Sequence, residues 1–366
     1  MHKTPMRLDV LVAACSLAIA GCGTGTVVLP NAPDVVVIDA DADFTEGNAT
    51  NDGTSDDVLY DMLEETTAAD VDDAWQDTLL EDIPDADDTP DAGADHGDEV
   101  TLPWPTNTEG WSRHATNLLD DQARAVFLHG ANVSNFAKYQ PDFLTWHTLE
   151  DFQALAAIGI DSVRLQTYWA AIMPTDGVID TVYLDAYAAK VEAAIAAGLL
   201  VVVDMHQDVF GVGFLEDGAP RWACAEENYA TWEQQSPWYM NYLTPQVQAC
   251  YDAFYTDPVL FGKFVDAWVA VATRVKDLPE VIGFDLFNEP NWGTYTPSLF
   301  LPELFLPLQE QIADALFEVA PDKVVFLQGT TLFHALGVPE PARPTRLTNA
   351  IYGAHYYHPA VHDGSA

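Results

Sequence analysis

The chain has 366 residues and a formal net charge of −43, with 57 acidic residues against 14 lysines and arginines. Residues 31–100 hold 24 of those acids and no lysine or arginine, whereas residues 101–366 hold 32 acids and 12 bases. Phosphate binding needs clustered cations, so this composition excludes nucleic acid as a partner. It also excludes simple electrostatic adhesion to anionic lipid headgroups.

The first 22 residues have the pattern of an export signal. Lys3 and Arg7 give a basic start, and residues 10–20 form an apolar core too short to anchor the chain across a bilayer. Residues 17–22 read LAIAGC, which resembles the lipobox of bacterial lipoproteins. We therefore expect residues 1–22 to be a lipoprotein signal peptide, with lipid on Cys22 and export to the cell envelope or surface. An ordinary secretory signal that happens to contain a cysteine is the alternative.

Residues 23–100 are expected to form a disordered acidic linker. Repeated Asp-Ala and Pro-Asp pairs bury too little apolar surface to offset the ordering entropy, and their charges repel. Calcium binding is the alternative for so many aspartates, but the segment lacks EF-hand spacing.

From residue 101 the pattern alternates between strands and helices. Apolar runs predict strands at 125–133, 161–169, 199–208, 281–288, 323–328 and 350–357. Helical patterns fall at 148–158, 183–197, 261–275 and 303–319. Such alternation is typical of an α/β protein with a parallel sheet buried on both faces, either doubly wound or a (β/α) barrel.

The barrel is the better interpretation of residues 101–366. No glycine-rich phosphate turn follows the first strand, and polar residues collect at the carboxyl ends of the strands, where a TIM barrel places its active site. A (β/α)8 barrel needs eight strands, and the sequence ends nine residues after the sixth. We therefore expect a C-terminally incomplete barrel that folds poorly and is inactive by itself.

The strongest chemical signal is Asn288-Glu289-Pro290, directly after the buried strand at 281–288. A carboxylate at the mouth of a buried strand is well placed for acid/base work. A helix cap or a satisfied loop charge is the alternative for this tripeptide. The other signals therefore decide between the two interpretations.

Further polar residues fall on the predicted strands. Asp204, His206 and Asp208 recur at every second position of the third strand and so share a face, as do His355 and Tyr357 on the sixth. A satisfied core histidine is the alternative for His206. Arg164 needs a carboxylate partner inside its apolar strand, either at the site or in a structural ion pair.

Tryptophans and cysteines complete the candidate set. Trp169, Trp222 and Trp292 follow strand ends, where an aromatic ring could stack on a sugar, although each alone is more typical of core packing. Cys224 and Cys250 are expected to form a disulfide because export places them in an oxidising compartment; two buried free thiols are the alternative.

A metal site is the competing chemistry. His206, Asp208, His355 and His358 offer suitable ligands, but there is no HxH on the first strand and no HExxH on a helix. We therefore expect no metal site.

Several of these motifs together resemble glycoside hydrolase family 5, and within it the endoglycoceramidase-like branch. They are residues 130–133 (GANV), 161–165 (DSVRL), 204–210 (DMHQDVF), 218–223 (GAPRWA), 287–290 (FNEP) and 355–357 (HYY). The resemblance covers residues 101–366. It implies an eight-stranded (β/α) barrel without cofactor, whose members hydrolyse β-glycosides with retention.

The resemblance also implies roles for individual residues. Glu289 matches the general acid/base, and Asn288 matches the partner of the sugar 2-hydroxyl. The residues that match those shaping the sugar subsite are His206, Asp208, His355 and Tyr357. Arg164 matches the family's strand-two arginine, and Lys138 matches a substrate contact loosely. Trp292 is a further substrate-binding candidate because of its place after a strand end. No residue matches the nucleophile, a Glu that ends the seventh strand of the family, so we expect it to be absent from this sequence.

Two classes of function remain. The first is a monomeric, lipid-anchored retaining β-glycosidase with a carbohydrate or glycosphingolipid substrate, or a β-glucanase of the same family. The second is a surface sugar-binding lipoprotein that has kept the pocket and lost the chemistry. Turnover of a β-glycoside distinguishes them.

Overall fold

The structure is a computed structural model that describes residues 105–355, apart from residues 107, 109, 134, 297, 298 and 331–344. The predicted signal peptide and linker, with Cys22, lie outside the described residues, as do Tyr357 and His358. Within the described ranges, no helix is both long and apolar enough to cross a membrane.

Two sheets are present in the described part of the chain. The smaller is antiparallel and contains β1 (Ser112–His114), β2 (Asn117–Leu119) and β3 (Ala125–Val126). The larger is parallel and contains β4 (Gly130–Val133), β5 (Ser162–Thr167), β6 (Leu200–Met205), β7 (Val281–Asp285), β8 (Val324–Gln328) and β9 (Ala350–Gly353).

The order of the parallel strands identifies the architecture. Their spatial order is the same as their order along the chain, from β4 to β9, and every neighbouring pair is parallel. A doubly wound sheet reverses direction at a switch point, whereas a (β/α) barrel does not. The prediction of a barrel-type α/β fold is therefore confirmed. Within the described residues β4 and β9 are the two edges, so this part of the sheet is not closed.

Helices connect the parallel strands. They are α1 (Leu149–Ala157), α2 (Trp169–Ile172), α3 (Thr181–Ala196), α4 (Glu226–Thr231), α5 (Pro245–Thr256), α6 (Pro258–Val275) and α7 (Leu306–Val319). The capping box predicted from Thr148 and Asp151 is present, with both reciprocal hydrogen bonds formed. Asp180 and Asp257 cap α3 and α6 in the same way, by accepting from backbone N–H groups of the first turn.

Aromatic side chains fill the space between the sheet and the helices. Phe254 on α5 stacks on Phe287, which follows β7, and Phe264 on α6 contacts both of these rings edge to face. Trp268 on α6 is fully buried and donates from its indole nitrogen to the Leu286 carbonyl at 3.0 Å. Because these contacts surround the end of β7, they hold the segment that carries Asn288 and Glu289.

A long excursion, residues 206–257, separates β6 from α6. It contains α4, α5 and short 3-10 turns at Val212–Phe214, Arg221–Ala223 and Trp238–Leu243. A disulfide joins Cys224 to Cys250, with Cα atoms 5.3 Å apart. The excursion leaves the carboxyl end of β6 and therefore lies at the active-site end of the sheet.

Several predicted boundaries are wrong. The predicted first strand at 125–133 is two strands, β3 and β4, which belong to different sheets. The third and fourth strands end at Met205 and Asp285, so His206, Asp208 and Asn288 lie just beyond them. A π-helical turn at Phe300–Phe305 precedes α7, where the sequence predicts helix from residue 303.

Candidate active site

A buried arginine organises the carboxyl ends of the central strands. On β5, Arg164 donates to Asp285 at 2.7 Å and to Asp204 at 2.8 Å. These aspartates are paired across β6 and β7 and are almost fully buried. Burial opposes the charge on Arg164, but the two carboxylates outweigh it and raise its pKa above the ordinary value. The sequence allowed a carboxylate partner for Arg164 either at the site or in a structural ion pair, and the structural ion pair is present.

The same arginine also orients a predicted site residue. Its Nη2 atom donates to the side-chain oxygen of Asn288 at 3.0 Å. The Asn288 amide nitrogen donates to the Gln207 carbonyl at 3.1 Å, so both ends of this side chain are fixed. Arg164 therefore acts on the site through Asn288 as well as in a structural role.

Glu289 lies directly after Asn288, in a strained conformation. Its φ is +43°, a left-handed value that costs a non-glycine residue of order 1 kcal/mol or more and is frequent at functional sites. Gln207 donates to the carbonyls of Asn288 and Glu289 at 2.6 and 2.8 Å, which holds this turn in place.

The carboxylate of Glu289 is paired with a histidine from another strand end. Its Oε1 atom lies 2.8 Å from Nδ1 of His355, which follows β9. Both side chains are mostly buried, with 16% and 19% exposed. The contact joins two residues that are 66 positions apart. The contact therefore ties Glu289 to the end of another strand, and its role as general acid/base stays a prediction.

A second charged group follows β6. Nδ1 of His206 lies 2.8 Å from Asp204, and its Nε2 lies 3.8 Å from Asp208. Lys138, in the 3-10 turn after β4, donates to Asp208 at 2.7 Å. The structure thus brings together three of the predicted binding residues, although strand β6 ends before His206.

Burial and charge shift the pKa values within this group. Burial opposes the charged form of His206, but the Asp204 carboxylate outweighs it and raises the pKa of His206 to about 10. Burial also opposes the charged form of Asp208, but His206 and Lys138 lower the pKa of that carboxyl to about 2. At neutral pH both are therefore charged.

Asp217 is a member of this group that the sequence analysis missed. It is fully buried, neither of its carboxylate oxygens accepts a hydrogen bond, and one lies 3.6 Å from Nζ of Lys138. Burial, reinforced by the neighbouring Asp208 charge, raises the pKa of Asp217 to about 7. The signal in the sequence is its place directly before the GAPRWA motif.

Gln207 was missed for a different reason. Strand alternation places it on the face opposite to His206, yet it lies beyond the end of β6, where alternation no longer holds. Its amide nitrogen holds the Asn288 and Glu289 carbonyls, and its oxygen accepts from Tyr251 at 2.6 Å.

The structure does not group the possible metal ligands as the sequence analysis combined them. His206, Asp208 and Asp217 have ligand atoms within 4.8 Å of one another, whereas His355 pairs with Glu289. The Lys138 ammonium already lies among the carboxylates of Asp208, Glu216 and Asp217, at 2.7, 3.7 and 3.6 Å. A cation of the chain thus compensates these charges.

The tryptophans divide between packing and the site. Trp169 is buried and contacts Trp222 edge to face at 5.3 Å, and Trp222 donates to the Met173 carbonyl, so both are packing residues. Trp292 is partly buried after β7, packed against the main core. Its role in binding stays a prediction.

Comparison with known proteins places this geometry in a family. Residues 119–366 match the model of Cellulase (glycosyl hydrolase family 5). Endoglycoceramidase I of Rhodococcus hoagii (strain 103S) is 36% identical over 187 residues, which are 50% of this chain and 38% of that protein. Endoglycoceramidase of Cyanea nozakii is 28% identical over 305 residues, covering 73% of this chain and 59% of its own.

A solved structure agrees with both relatives. Endo-glycoceramidase II from Rhodococcus sp., in complex with ganglioside GM3, superposes with a TM-score of 0.63 and 28% identity. The match covers 68% of this chain and 60% of that one, so this chain spans less than two thirds of the relatives it matches. Since the family model covers more than half of this sequence, the chain belongs to glycosyl hydrolase family 5.

Proposed function

We propose that the protein is a retaining β-glycosidase that acts on glycosphingolipids, with Glu289 as the general acid/base. The observation that carries this proposal is the Glu289 carboxylate, held by His355 at the active-site end of the sheet beside the oriented amide of Asn288. The names of the relatives support the substrate class, since two are endoglycoceramidases and one structure contains a ganglioside.

Each residue has a defined task in the proposed reaction. Protonated Glu289 donates its proton to the glycosidic oxygen while a second carboxylate attacks the anomeric carbon; two such groups stand about 5–5.5 Å apart in retaining enzymes. Glu289 then takes a proton from the water that releases the sugar. Asn288, fixed by Arg164, donates to the 2-hydroxyl. We assign no residue of this sequence to the second carboxylate.

Product analysis tests the proposal. The protein is expressed from its complete reading frame and incubated with lactosylceramide in detergent micelles. We expect free lactose and ceramide in equal amounts, with the β-anomer of lactose formed first. Release of glucose and galactose separately, or first formation of the α-anomer, contradicts the proposal.

Hydrolysis of plain β-glucan is the second candidate, because the matching family model is described as Cellulase. Cellotetraose and lactosylceramide distinguish the two functions when compared at equal concentration. A kcat/KM value at least tenfold higher for cellotetraose would favour the β-glucanase.

We further propose that the protein is an exported, monomeric lipoprotein acylated on Cys22. The basic start, the short apolar core and the LAIAGC sequence at residues 17–22 support the anchor. Metabolic labelling with radioactive palmitate is expected to mark the wild-type protein and not Cys22→Ala. Equal labelling of both proteins contradicts the anchor, and light scattering of the Cys22→Ala protein tests the monomer.

A further inference from the structure

Five large apolar side chains are exposed around the Lys138–Asp208 pair. We call them the apolar rim: Phe136, Tyr139, Leu215, Trp238 and Tyr239. Their exposed fractions lie between 41% and 68%. Large apolar side chains exposed singly are ordinary, but a group of them on one surface marks a site of interaction.

Two parts of the rim lie directly beside Lys138. Phe136 and Tyr139 contact each other edge to face in the 3-10 turn that carries Lys138, whose ammonium lies 5.3 Å from the Tyr139 ring. Leu215 immediately precedes Glu216, whose carboxylate lies 3.7 Å from the same ammonium. These side chains come from different loops, and each of the two loops contributes a residue to the same charged group.

The third part of the rim reaches the same place from the excursion. Trp238 contacts both Tyr239 and Tyr242, and the Tyr242 hydroxyl lies 3.4 Å from Asp208. Trp238 is therefore linked to Asp208 through the side chain of Tyr242, and Tyr239 is linked to it through Trp238. All three segments follow the carboxyl end of β4 or of β6, so the rim lies at the substrate end of the barrel.

Leu215 combines a strained backbone with a largely exposed side chain. Its φ is +63°, a left-handed value that a leucine adopts at a cost, and 68% of its side chain is exposed. Glycine or asparagine would relieve the strain. Because most of its side chain is exposed, packing of Leu215 does little to offset this strain.

We propose that the apolar rim docks the substrate end of the barrel onto a zwitterionic lipid surface with phosphocholine headgroups. Trp and Tyr favour the boundary between water and hydrocarbon, whereas Phe and Leu insert below it. Aromatic faces also attract quaternary ammonium groups such as choline. Anionic lipid is disfavoured, because residues 101–366 hold 32 acids and 12 bases. The inference rests on the proposed function, since a glycosphingolipid is presented at such a surface.

Vesicle flotation tests the proposal with the full chain carrying Cys22→Ser in every arm, so that no acyl chain contributes. The rim variant is Phe136→Ser with Leu215→Asn. The matched control is Phe127→Ser with Ile158→Asn, two exposed residues near the opposite end of the sheet. With phosphatidylcholine vesicles, we expect the rim variant to partition at least tenfold less than the parent and the control to partition equally. Adding phosphatidylserine to the vesicles is expected to weaken binding of the parent.

Three results overturn the proposal: no flotation of the parent, equal flotation of the rim variant, or binding that requires phosphatidylserine. A change of oligomeric state between parent and rim variant, seen by light scattering, also overturns it in favour of a self-association surface. The single variant Leu215→Asn is the control for misfolding, because asparagine adopts a positive φ readily. Weaker flotation of this variant at an unchanged melting temperature supports the proposal.

Hydrolysis separates this proposal from the proposed function. If both hold, parent and rim variant hydrolyse a soluble aryl β-lactoside equally, and only the rim variant loses rate on lactosylceramide in vesicles. Flotation without any hydrolysis supports lipid docking by the rim and contradicts the proposed function. Equal rates of hydrolysis in vesicles by the parent and the rim variant contradict lipid docking by the rim and support the proposed function.

Discussion

At the scale of the residue, Arg164 is a buried cation that contacts the buried carboxylates of Asp204 and Asp285 and the amide of Asn288. Removing one partner from a buried ion pair leaves uncompensated charge and costs about 3–5 kcal/mol. We therefore expect Arg164→Met to lower the free energy of unfolding by that amount, measured by urea denaturation.

The matched control is Arg274→Met. Arg274 pairs with Asp185 on the surface, where both side chains are partly exposed, and such pairs contribute about 0–1 kcal/mol. Equal losses for the two variants contradict the organising role of Arg164.

Asp217 predicts a pH dependence of stability. Its pKa rises from 3.8 to about 7 on folding, so the folded chain holds a proton that the unfolded chain has released. This contribution to stability is fully present below pH 3.8 and is lost as the pH rises through about 7. Asp217→Asn is always neutral, so we expect the variant to gain stability relative to wild type as the pH rises from 4 to 8.

Urea denaturation at several pH values from 4 to 8 measures this difference. Asp208 and His206, with pKa values of about 2 and 10, do not titrate within that interval. Burial raises the pKa of Glu216 above its ordinary value, but that group is present in wild type and variant alike, so the difference between them reports Asp217. Parallel stability curves for wild type and variant contradict the assignment.

At the scale of the element, the loop after β6 depends on Gly218. Its φ is +114°, and a Cβ there would overlap the Cβ of Gln207, which holds the Asn288–Glu289 turn. Gly159 also has a positive φ, +95°, but a Cβ there meets no atom within 4 Å. Gly159→Ala therefore measures the backbone strain alone, about 1–2 kcal/mol.

We expect Gly218→Ala to cost about 1–3 kcal/mol more than Gly159→Ala, because overpacking is added to the strain. Hydrolysis is also expected to fall in Gly218→Ala and not in Gly159→Ala. Thermal unfolding and a glycoside assay measure the two effects. An equal loss of stability in both variants would show that the Gln207 side chain moves aside without weakening the fold.

The excursion between β6 and α6 depends on its disulfide. In the chain-entropy model, closing a loop of 26 residues contributes about 3–4 kcal/mol. For the Cys224→Ser, Cys250→Ser double variant we expect faster amide exchange between residues 225 and 249, measured by mass spectrometry, and little change in β4–β8. Unchanged exchange in that segment contradicts a local role of the disulfide.

At the scale of the whole molecule, the sequence predicts the barrel-type sheet because largely apolar runs alternate along it with helical patterns. It does not predict β1 and β2, or the separation of β3 from β4, since two or three residues are too few to show alternation. Arg164, Asn288 and Glu289 could be found because a charge or amide interrupts an apolar run. The partners of these residues come from distant segments, as His355 does for Glu289, so composition and spacing do not reveal them.

Asp217 and Gln207 illustrate the same limit. Asp217 becomes significant only when folding buries it beside Lys138, and its place before the GAPRWA motif does not indicate that burial. Gln207 contributes through bonds to backbone carbonyls, which any sequence contains. The left-handed φ of Glu289 likewise results from tertiary contacts.

The central claim is that Glu289 donates the proton to the leaving group of a β-glycoside. The most direct test is kcat/KM of wild type and Glu289→Gln, each from the complete reading frame, on lactosylceramide and on 2,4-dinitrophenyl β-lactoside. A dinitrophenolate leaves without a proton, whereas ceramide needs one, and general acid catalysis contributes about 10²–10⁴-fold. We predict a fall of at least 100-fold on lactosylceramide and of less than tenfold on the dinitrophenyl substrate. Equal falls on both substrates, or no fall on lactosylceramide, contradict the claim.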